Sequence, residues 1–393
     1  MQPLYGIVAG ELSGDALGAG LIDAIRARQP DARFVGIAGP AMLERGCESL
    51  ADMERLSVMG LVEPLRRLPE LIAIRRRLYR YFAEHRPAVV IGIDSPDFNL
   101  GLLRKLRREQ IPTCQYVCPS VWAWRQGRVR TIARSVDRVL CLLPFEAQFL
   151  QEHAIAASFV GHPLARRFAH PQPPMPANPA QARSMLAADH PLIGDASVST
   201  LLCVMPGSRR SEVERLAGPF IESCRGLLQQ NPALAVVIPA ASRDLYRQLD
   251  ALLGQHCAAA ERERIVLHEG QSAVCMQAAD LVLLASGTAT LEAGLLGKPM
   301  VVAYCLAPLT WWLAQRLVKV DHVALPNLLL EQRLVPELLQ HEVTPARLID
   351  ECQRLIDDVA ERERIAGQLH ALGRQLDRDS DELAAAAVLA LAQ

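Results

Sequence analysis

Short apolar runs that alternate with helical patterns recur in both halves of the chain, and this alternation limits what the sequence can fold into. In the first half the runs lie at 4–9, 34–38, 89–93, 113–117, 139–142 and 158–160; in the second they lie at 200–205, 235–239, 265–267, 281–285 and 299–303. Runs that lack polar alternation are typical of strands buried on both faces, and intervening helices indicate parallel sheets. We therefore predict an α/β protein with two Rossmann-like domains that face each other across a cleft, followed by a helical C-terminal tail.

The domain boundaries follow from a change in composition near residue 170. Segment 171–198 is rich in Pro and Ala and interrupts the periodic pattern, as a linker does. We predict an N-terminal domain at 1–170, a linker at 171–198, a second domain at 199–365 and C-terminal helices at 366–393. A chain of 393 residues has the length expected for two such domains.

Composition and charge exclude several classes of protein. Lys and Arg number 42 against 43 Asp and Glu, so a general basic field is absent and we expect no nucleic-acid partner. No apolar run reaches the roughly 18 to 20 residues of a membrane-spanning helix, and the N-terminus lacks the pattern of a signal peptide. The ten cysteines include no C-x-x-C pair, which is typical of reduced thiols in a cytosolic protein. The histidines show no ligand spacing, so neither a metal nor another cofactor is predicted.

Polar residues cluster directly after strands of the first half. In AGELSGDALGAG the glycine spacing differs from the dinucleotide fingerprint, whereas Glu11 and Ser13 sit where open α/β sheets bind ligands. Contact with a substrate and capping of the next helix both remain open for these two. After strand 89–93, GIDSPDFN places Asp94, Asp97 and Asn99; a carboxylate here could serve as a general base, and Asp97 is favoured. Asp94 and Asn99 could instead shape the Pro turn.

Two further positions of the first half carry weaker signals. Trp124, in CPSVWAWR, could line a path for a sugar or a lipid or could be a packing anchor. His162, in VGHP, could contact substrate or could be a hydrogen-bonded hinge residue.

The second half contains two strand-to-helix junctions suited to an anion. MPGSRRSEV supplies Gly207, Ser208 and Arg209, where helix N-terminal amides and a guanidinium could hold a diphosphate. ASGTATLEA supplies Ser286, Gly287 and Thr288, with Glu292 one turn further on, where it could accept ribose hydroxyl protons. Because both junctions lie at one edge of the predicted sheet, we predict a nucleoside diphosphate site rather than two unrelated helix caps.

A basic amphipathic helix is predicted near 65–82. Its leucines recur at intervals of three and four residues among arginines that include Arg75, Arg76 and Arg77. Such a helix can cover a core with a solvated face, or it can adhere to an anionic membrane.

Taken together, AGELSGDALGAGLI, GIDSPDFN, YVCPSVWAW, FVGHP, MPGSRRSEV, ASGTATLEAGLLGKPMVVAY and RLVKVDHVALPNLL resemble, in order, the motifs of the lipid-A-disaccharide synthase family. That family comprises inverting glycosyltransferases of GT-B architecture. The resemblance implies transfer of 2,3-diacylglucosamine from its UDP conjugate to the 6-hydroxyl of 2,3-diacylglucosamine 1-phosphate, which forms a β-1,6 disaccharide and UDP.

The resemblance also implies roles for particular residues and partners. Asp97 would activate the acceptor, Glu11, Ser13 and Asp94 would line its site, and Arg209, Glu292 and Asn327 would contact UDP. The family's members form homodimers by exchanging C-terminal segments and act at the inner face of the cytoplasmic membrane. Two alternatives remain open: a UDP-sugar 2-epimerase of the same fold, and a non-catalytic peripheral membrane adaptor.

Overall fold

The computed structural model describes residues 2–56, 63–123, 126–171, 174–307, 310–312, 316 and 321–392. The chain forms two compact units. Unit 1 contains the residues up to Pro163 and those from Asp377 onward, and unit 2 contains Leu164–Arg316 and the described residues from 321 to Leu376.

Each unit is built on a parallel sheet. The seven strands of unit 1 lie in the order β3-β2-β1-β4-β5-β6-β7, and six strands of unit 2 lie in the order β10-β9-β8-β11-β12-β13. In both sheets the order reverses beside the first strand, which is where Rossmann-like folds bind ligands. The strands of the two sheets are β1 Leu4–Ala9, β2 Arg33–Ile37, β3 Glu48–Ser49, β4 Val89–Ile93, β5 Thr113–Tyr116, β6 Arg138–Cys141, β7 Ala157–Phe159, β8 Thr200–Met205, β9 Leu234–Ala240, β10 Ile265–Glu269, β11 Leu281–Ala285, β12 Met300–Tyr304 and β13 Glu337–Leu339.

Helices connect the strands and cover the sheets. The α-helices of the described residues are α1 Leu12–Arg28, α2 Pro40–Glu44, α3 Glu63–His85, α4 Pro96–Arg108, α5 Val129–Ser135, α6 Pro144–Glu152, α7 Pro163–Ala169, α8 Pro179–Ala187, α9 Arg210–Gln230, α10 Arg243–His256, α11 Ala259–Arg262, α12 Ser272–Ala278, α13 Thr288–Leu295, α14 Leu325–Leu330, α15 Pro345–Asp357, α16 Val359–Leu376 and α17 Ser380–Leu389. Short 3-10 turns occur at Met53–Arg55, Gln126–Arg128, Pro191–Gly194 and Gln340–Glu342.

Each sheet is buried on both faces, as its near-continuous apolar strands predict. Every residue of β4, β9 and β11 is buried. Two separate hydrophobic clusters result, one in each unit. The α/β class and the paired Rossmann-like sheets that the alternation predicts are therefore confirmed.

The boundaries differ from the predicted domains. Segment 171–198 is not a linker throughout: it contains α8, whose Ala182 and Leu186 are buried in the core of unit 2. Asn178 caps this helix and Pro179 occupies its first turn, so the local Pro-rich composition marks a helix start. The C-terminal helices also divide, because α16 belongs to unit 2 and α17 packs on α1 in unit 1.

The predicted basic helix corresponds to α3. Its Ile74, Leu78 and Phe82 are spaced four residues apart and are buried in the core of unit 1. Arg76 and Arg80 are exposed. Within the residues that the structure covers, none of the helices combines the length and the apolar character needed to cross a membrane.

Candidate functional site

A cavity of about 550 Å³ opens at the carboxyl ends of the strands in unit 2. It brings together seven of the eight predicted nucleotide contacts: Gly207, Ser208, Arg209, Ser286, Gly287, Thr288 and Glu292. The two junctions that contain them follow β8 and β11, which are neighbours in the sheet. The spatial grouping predicted from the order of the motifs is therefore present in the structure.

The chain's own carboxylate occupies part of the predicted anion cradle at the start of α9. The backbone N–H groups of Ser208 and Arg209 both donate to Oε2 of Glu212, at 3.0 and 3.2 Å. This is a capping box, in which the N3 glutamate satisfies the N-cap amide. The amides of Ser208 and Arg209 are thus engaged, which corrects the expectation that they face a ligand directly. The Arg209 guanidinium lies 3.5 Å from Oε1 of Glu212, and its side chain, 77% exposed, lines the cavity.

The start of α13 forms part of the cavity wall. Gly287 is the N-cap, and its side chain is a single hydrogen, so nothing from that residue covers the first turn. Ser286 Oγ donates to the carbonyl of Val323 (2.9 Å), which fixes the chain just before the helix. Thr288 and Ala289 line the cavity. The first N–H groups of a helix have no intrahelical acceptor and carry partial positive charge, so this end of the cavity suits a phosphate.

Glu292 lies one turn into α13 and lines the same cavity. Burial raises the pKa of its carboxyl, and the positive charge of Arg167 opposes that shift. A half-buried carboxylate beside small residues can accept hydrogen bonds from hydroxyl groups of a ligand.

Asn327 lies outside this cavity and is fully buried. Its amide donates to the carbonyl of Val335 (2.9 Å) and to Oε1 of Glu337 (2.8 Å), and its Oδ1 accepts from Val335 N–H (2.9 Å). The predicted direct contact with nucleotide does not fit this position. Asn327 instead ties α14 to the segment that leads into β13.

Several residues of the cavity wall are not among the predicted site residues. Ala240 ends β9 and Ala241 follows it, Gly270 and Ser272 follow β10, and Tyr304 ends β12. None of these five residues carries a charge. The signal available was the strand-end rule itself, since all five lie after or at the end of a strand of the same sheet.

A second cavity, of about 420 Å³, lies within unit 1. It joins two of the carboxylates predicted for the acceptor site, Glu11 after β1 and Asp97 at the start of α4. Its remaining wall is largely apolar, with Leu68, Leu71 and Ile72 of α3 and also Leu56, Arg75, Ser95, Pro96 and Phe98. Carboxylates and aliphatic side chains thus share one cavity.

Asp97 is exposed to solvent. The start of α4 exposes 87% of its side chain, and Arg128 Nη2 lies 2.5 Å from its Oδ1. The arginine orients the carboxylate, while the remaining oxygen is open to a ligand.

Asp94 and Asn99 do not line this cavity. Asn99 is 1% exposed, and its amide donates to the carbonyls of Ile93 (3.2 Å) and Asp94 (2.9 Å). The expectation that Asn99 contacts substrate is replaced by a role in shaping the turn. Asp94 is half-buried in that turn, with a φ of +49°.

The other predicted residues of unit 1 are dispersed. Ser13 is exposed on the first turn of α1, outside the cavity. His162 is half-buried, and burial lowers its pKa to about 4, so its ring is neutral at pH 7. Trp124 lies outside the described residues.

Among the described residues, one group of potential metal ligands is buried in unit 1: Cys118, Cys141 and Glu146, whose ligand atoms lie within 4.8 Å of one another. Burial raises the pKa of Glu146 to about 7. Its oxygens accept from the indole N–H of Trp122 and the backbone N–H of Leu143, both at 3.2 Å. The carboxyl group is satisfied within the fold, and we assign no ion to it.

Comparison with solved structures identifies the architecture. The glycotransferase of kitacinnamycin aligns with a TM-score of 0.65 at 18% identity and covers 100% of both chains. UDP-GlcNAc 2-epimerase from Neisseria meningitidis, bound to UDP-GlcNAc, aligns with a TM-score of 0.63 at 14% identity and covers 99% of this chain and 100% of its own. MurG of Acinetobacter baumannii aligns with a TM-score of 0.58 at 13% identity, again over 99% and 100%. At these identities the likeness shows the fold alone, which is GT-B.

Sequence comparison is more specific. The lipid-A-disaccharide synthase of Chromohalobacter salexigens is 48% identical over 382 residues, 97% of this chain and 95% of that protein. The synthase of Alcanivorax borkumensis is 45% identical over 389 residues, 99% and 97% of the two chains. A family model described as lipid-A-disaccharide synthetase matches residues 6–388. The chain therefore belongs to the lipid-A-disaccharide synthase family.

Proposed function

We propose that this protein transfers 2,3-diacylglucosamine from UDP-2,3-diacylglucosamine to the 6-hydroxyl of 2,3-diacylglucosamine 1-phosphate, with inversion at the anomeric carbon. The products are the β-1,6-linked lipid A disaccharide 1-phosphate and UDP. The observation that carries the proposal is the cavity of unit 1, where the carboxylates of Glu11 and Asp97 share a wall with Leu68, Leu71 and Ile72. An acceptor that bears both a reactive hydroxyl and acyl chains matches this combination.

The donor is assigned to the cavity of unit 2. Its diphosphate would lie against the first turn of α13 and the guanidinium of Arg209, since Glu212 already engages the amides before α9. Glu292 would accept hydrogen bonds from the ribose hydroxyls. Negative charge grows on the diphosphate as the glycosidic bond breaks, and donors already in place stabilise it without reorganisation.

Asp97 is assigned as the general base. As the 6-hydroxyl attacks the anomeric carbon, the O–H bond breaks and its proton passes to the carboxylate, while the electrons of the bond to UDP leave with the diphosphate. Attack from the face opposite UDP inverts the configuration. Glu11 lines the same cavity and would bind the acceptor's hydroxyl groups.

Membrane attachment and dimerisation belong to the same proposal. The exposed Arg76 and Arg80 of α3 would bind the anionic inner face of the cytoplasmic membrane, close to the apolar wall of the acceptor cavity. In the described chain α17 packs on α1 of the same chain. The corresponding helix of a second copy could make the same contact, and this supports a homodimer with exchanged C-terminal segments.

The test measures turnover and ligand binding separately. Asp97→Asn should lower kcat for disaccharide formation by at least about a hundredfold, the lower end of a general base's contribution, while UDP affinity by calorimetry stays within twofold of wild type. Arg209→Ala should weaken UDP but not uridine, which lacks phosphate, whereas Glu292→Ala should weaken both. Full turnover by Asp97→Asn would remove the assignment of the base.

Two controls separate this function from its alternatives. Asp23→Asn changes an exposed aspartate that pairs with Arg45 away from both cavities, so its kcat should match wild type. Incubation with UDP-GlcNAc alone should yield no epimerised sugar. Epimer formation would favour a 2-epimerase, and no UDP release from the two acylated sugars would favour a membrane adaptor.

A further inference from the structure

The turn that precedes Asp97 has an unusual backbone. Asp94 and Ser95 have φ values of +49° and +40°, and Val117, at the end of the neighbouring strand, has a φ of +74°. All three carry a Cβ atom, which disfavours the left-handed region, and the β-branched valine is the least suited to it. Neighbouring groups must therefore hold this conformation.

Two buried amides provide that support. Gln115, on β5 and 0% exposed, donates from Nε2 to the carbonyl oxygen of Asp94 at 2.9 Å and also lies 3.3 Å from the carbonyl oxygen of Tyr116. Asn99, on α4, donates to the same Asp94 oxygen at 2.9 Å. The Asp94 N–H in turn donates to the Tyr116 carbonyl at 2.9 Å. The end of β4 is thus tied to β5 through the side chain of Gln115.

Close packing leaves this turn little room to shift. A Cβ atom added at Gly10 would lie 2.4 Å from Ser95 Oγ, and one added at Gly92 would lie 2.8 Å from Asn99 Cβ. The turn therefore packs closely against the residue before Glu11, and its conformation sets where α4 begins. Asp97 is in the first turn of that helix.

The chemistry of Gln115 argues against a purely space-filling role. Its Oε1 is buried and finds no partner among the described residues, and burying an unpaired amide oxygen opposes folding. An apolar side chain of the same size would avoid that cost. What only the amide supplies is donation from Nε2 to the backbone carbonyls of Asp94 (2.9 Å), Tyr116 (3.3 Å) and Val117 (3.5 Å), of which the bond to Asp94 is the shortest.

We infer that Gln115 is a positioning residue for glycosyl transfer, which acts by fixing the Asp94–Ser95 turn so that Asp97 is held toward the acceptor cavity. The inference rests on the proposed function in one respect, the role of Asp97. Gln115 does not line the cavity and touches no substrate there.

The experiment compares two fully buried polar residues of the same strand. Gln115→Met keeps the side chain's length but removes the donor. Thr113→Val is the matched control, because Thr113 is also 0% exposed and its hydroxyl donates to Asp137 (2.9 Å) at the opposite end of β5. Thermal denaturation checks that both variants are folded. Only Gln115→Met should lower kcat, by about tenfold or more, with KM for both substrates and UDP affinity within about threefold of wild type.

A second variant covers the case in which Gln115→Met does not fold. Gln115→Asn keeps a buried amide but is one methylene too short to reach Asp94, so it should show the same loss of kcat. A folded Gln115 variant with kcat within twofold of wild type overturns the inference, as does an equal loss of kcat in Thr113→Val. These results are distinct from failure of the proposed function, which is read from Asp97→Asn alone.

Discussion

Gly207 lines the donor cavity of unit 2, where a Cβ atom would not fit without a change in the cavity wall. Its φ is +128°, and a Cβ atom there would lie 2.5 Å from Cβ of Glu212. Strain of about 1 to 3 kcal/mol is typical of such a backbone, and 1.4 kcal/mol corresponds to tenfold in affinity. We therefore expect Gly207→Ala to weaken UDP binding by about tenfold or more, measured by calorimetry. Gly218, in α9 with open space around it, is the control: Gly218→Ala should bind UDP normally and gain up to about 1 kcal/mol of stability.

Glu292 should make nucleoside binding depend on pH. Burial raises the pKa of its carboxyl, so the ionised acceptor is lost on acidification at a higher pH than for an ordinary glutamate, whose pKa is about 4.3. We expect uridine affinity to fall as the pH is lowered from 7, and to begin falling at a higher pH than an ordinary glutamate would allow. Uridine is the probe because it has no phosphate that titrates in this range. Glu292→Gln should bind uridine weakly at every pH, and an unchanged pH profile in that variant would contradict the assignment.

At the scale of single residues, the sequence predicts which residue types follow a strand better than it predicts their hydrogen-bond partners. That polar side chains follow β1, β4, β8 and β11 could be read from the motifs alone. The motifs do not show that the side chains of Asn99 and Asn327 turn inward, because their hydrogen-bond partners come from other elements. Asp15 behaves likewise: its carboxylate accepts the N–H groups of Gly39 (2.9 Å) and Ala41 (2.8 Å) and so caps α2, 24 residues or more away along the chain.

Among the elements, long apolar strands were the most predictable. The predicted bounds of β1, β4, β8 and β11 match the structure, because burial on both faces leaves an uninterrupted apolar run. The two-residue β3 and the three-residue β13 are not predicted, because neither is an apolar run: β3 is Glu48–Ser49 and β13 begins with Glu337. The sequence predicts a linker where α8 begins, because Pro is common both in linkers and in the first turn of a helix.

The tail helix α17 should contribute to the stability of unit 1. Val388 is fully buried against that core, whereas Leu383 on the same helix is 39% exposed. Val388→Asp buries an unpaired charge and should lower the free energy of unfolding by about 3 kcal/mol or more; Leu383→Asp should cost less than about 1 kcal/mol. Chemical denaturation measures both. If the tail is exchanged between subunits, light scattering should also show loss of dimer in Val388→Asp alone.

The basic face of α3 should govern membrane attachment. Reversing Arg76 and Arg80 to Glu removes two attractive charges, each contributing about 1 kcal/mol near an anionic surface, and adds two repulsive ones. We expect flotation with phosphatidylglycerol vesicles to fall at least tenfold. The control reverses Arg243 and Arg247, exposed on α10 in unit 2, and should float normally. Equal loss in both variants would indicate a general effect of net charge rather than a role for α3.

The whole chain has two separate hydrophobic cores, and each unit carries one of the two candidate cavities. The core of unit 2 draws on residues from Ala182 to Leu369, while that of unit 1 draws on residues up to Val160 and returns at Ala384. The last helices therefore belong to different units, although they adjoin in sequence. Alternating strands and helices predict two sheets, but they cannot predict this return, because a helical tail of this composition could pack on either core.

This division predicts that UDP protects one unit selectively. The donor cavity is lined wholly by residues of unit 2, from Met205 to Tyr304. UDP at a hundred times its Kd should stabilise the state that binds it by about 2.7 kcal/mol, so core amides of β8 and β11 should exchange about a hundredfold more slowly. Amides of β1 and β4 in unit 1 should exchange at the rate of the free protein. Hydrogen exchange read by mass spectrometry measures both sets, and Arg209→Ala at the same UDP concentration is the matched control, in which the protection should shrink. Equal protection of β1 and β4 would show that the two units open together, and protection of those strands alone would move the nucleotide to the other cavity.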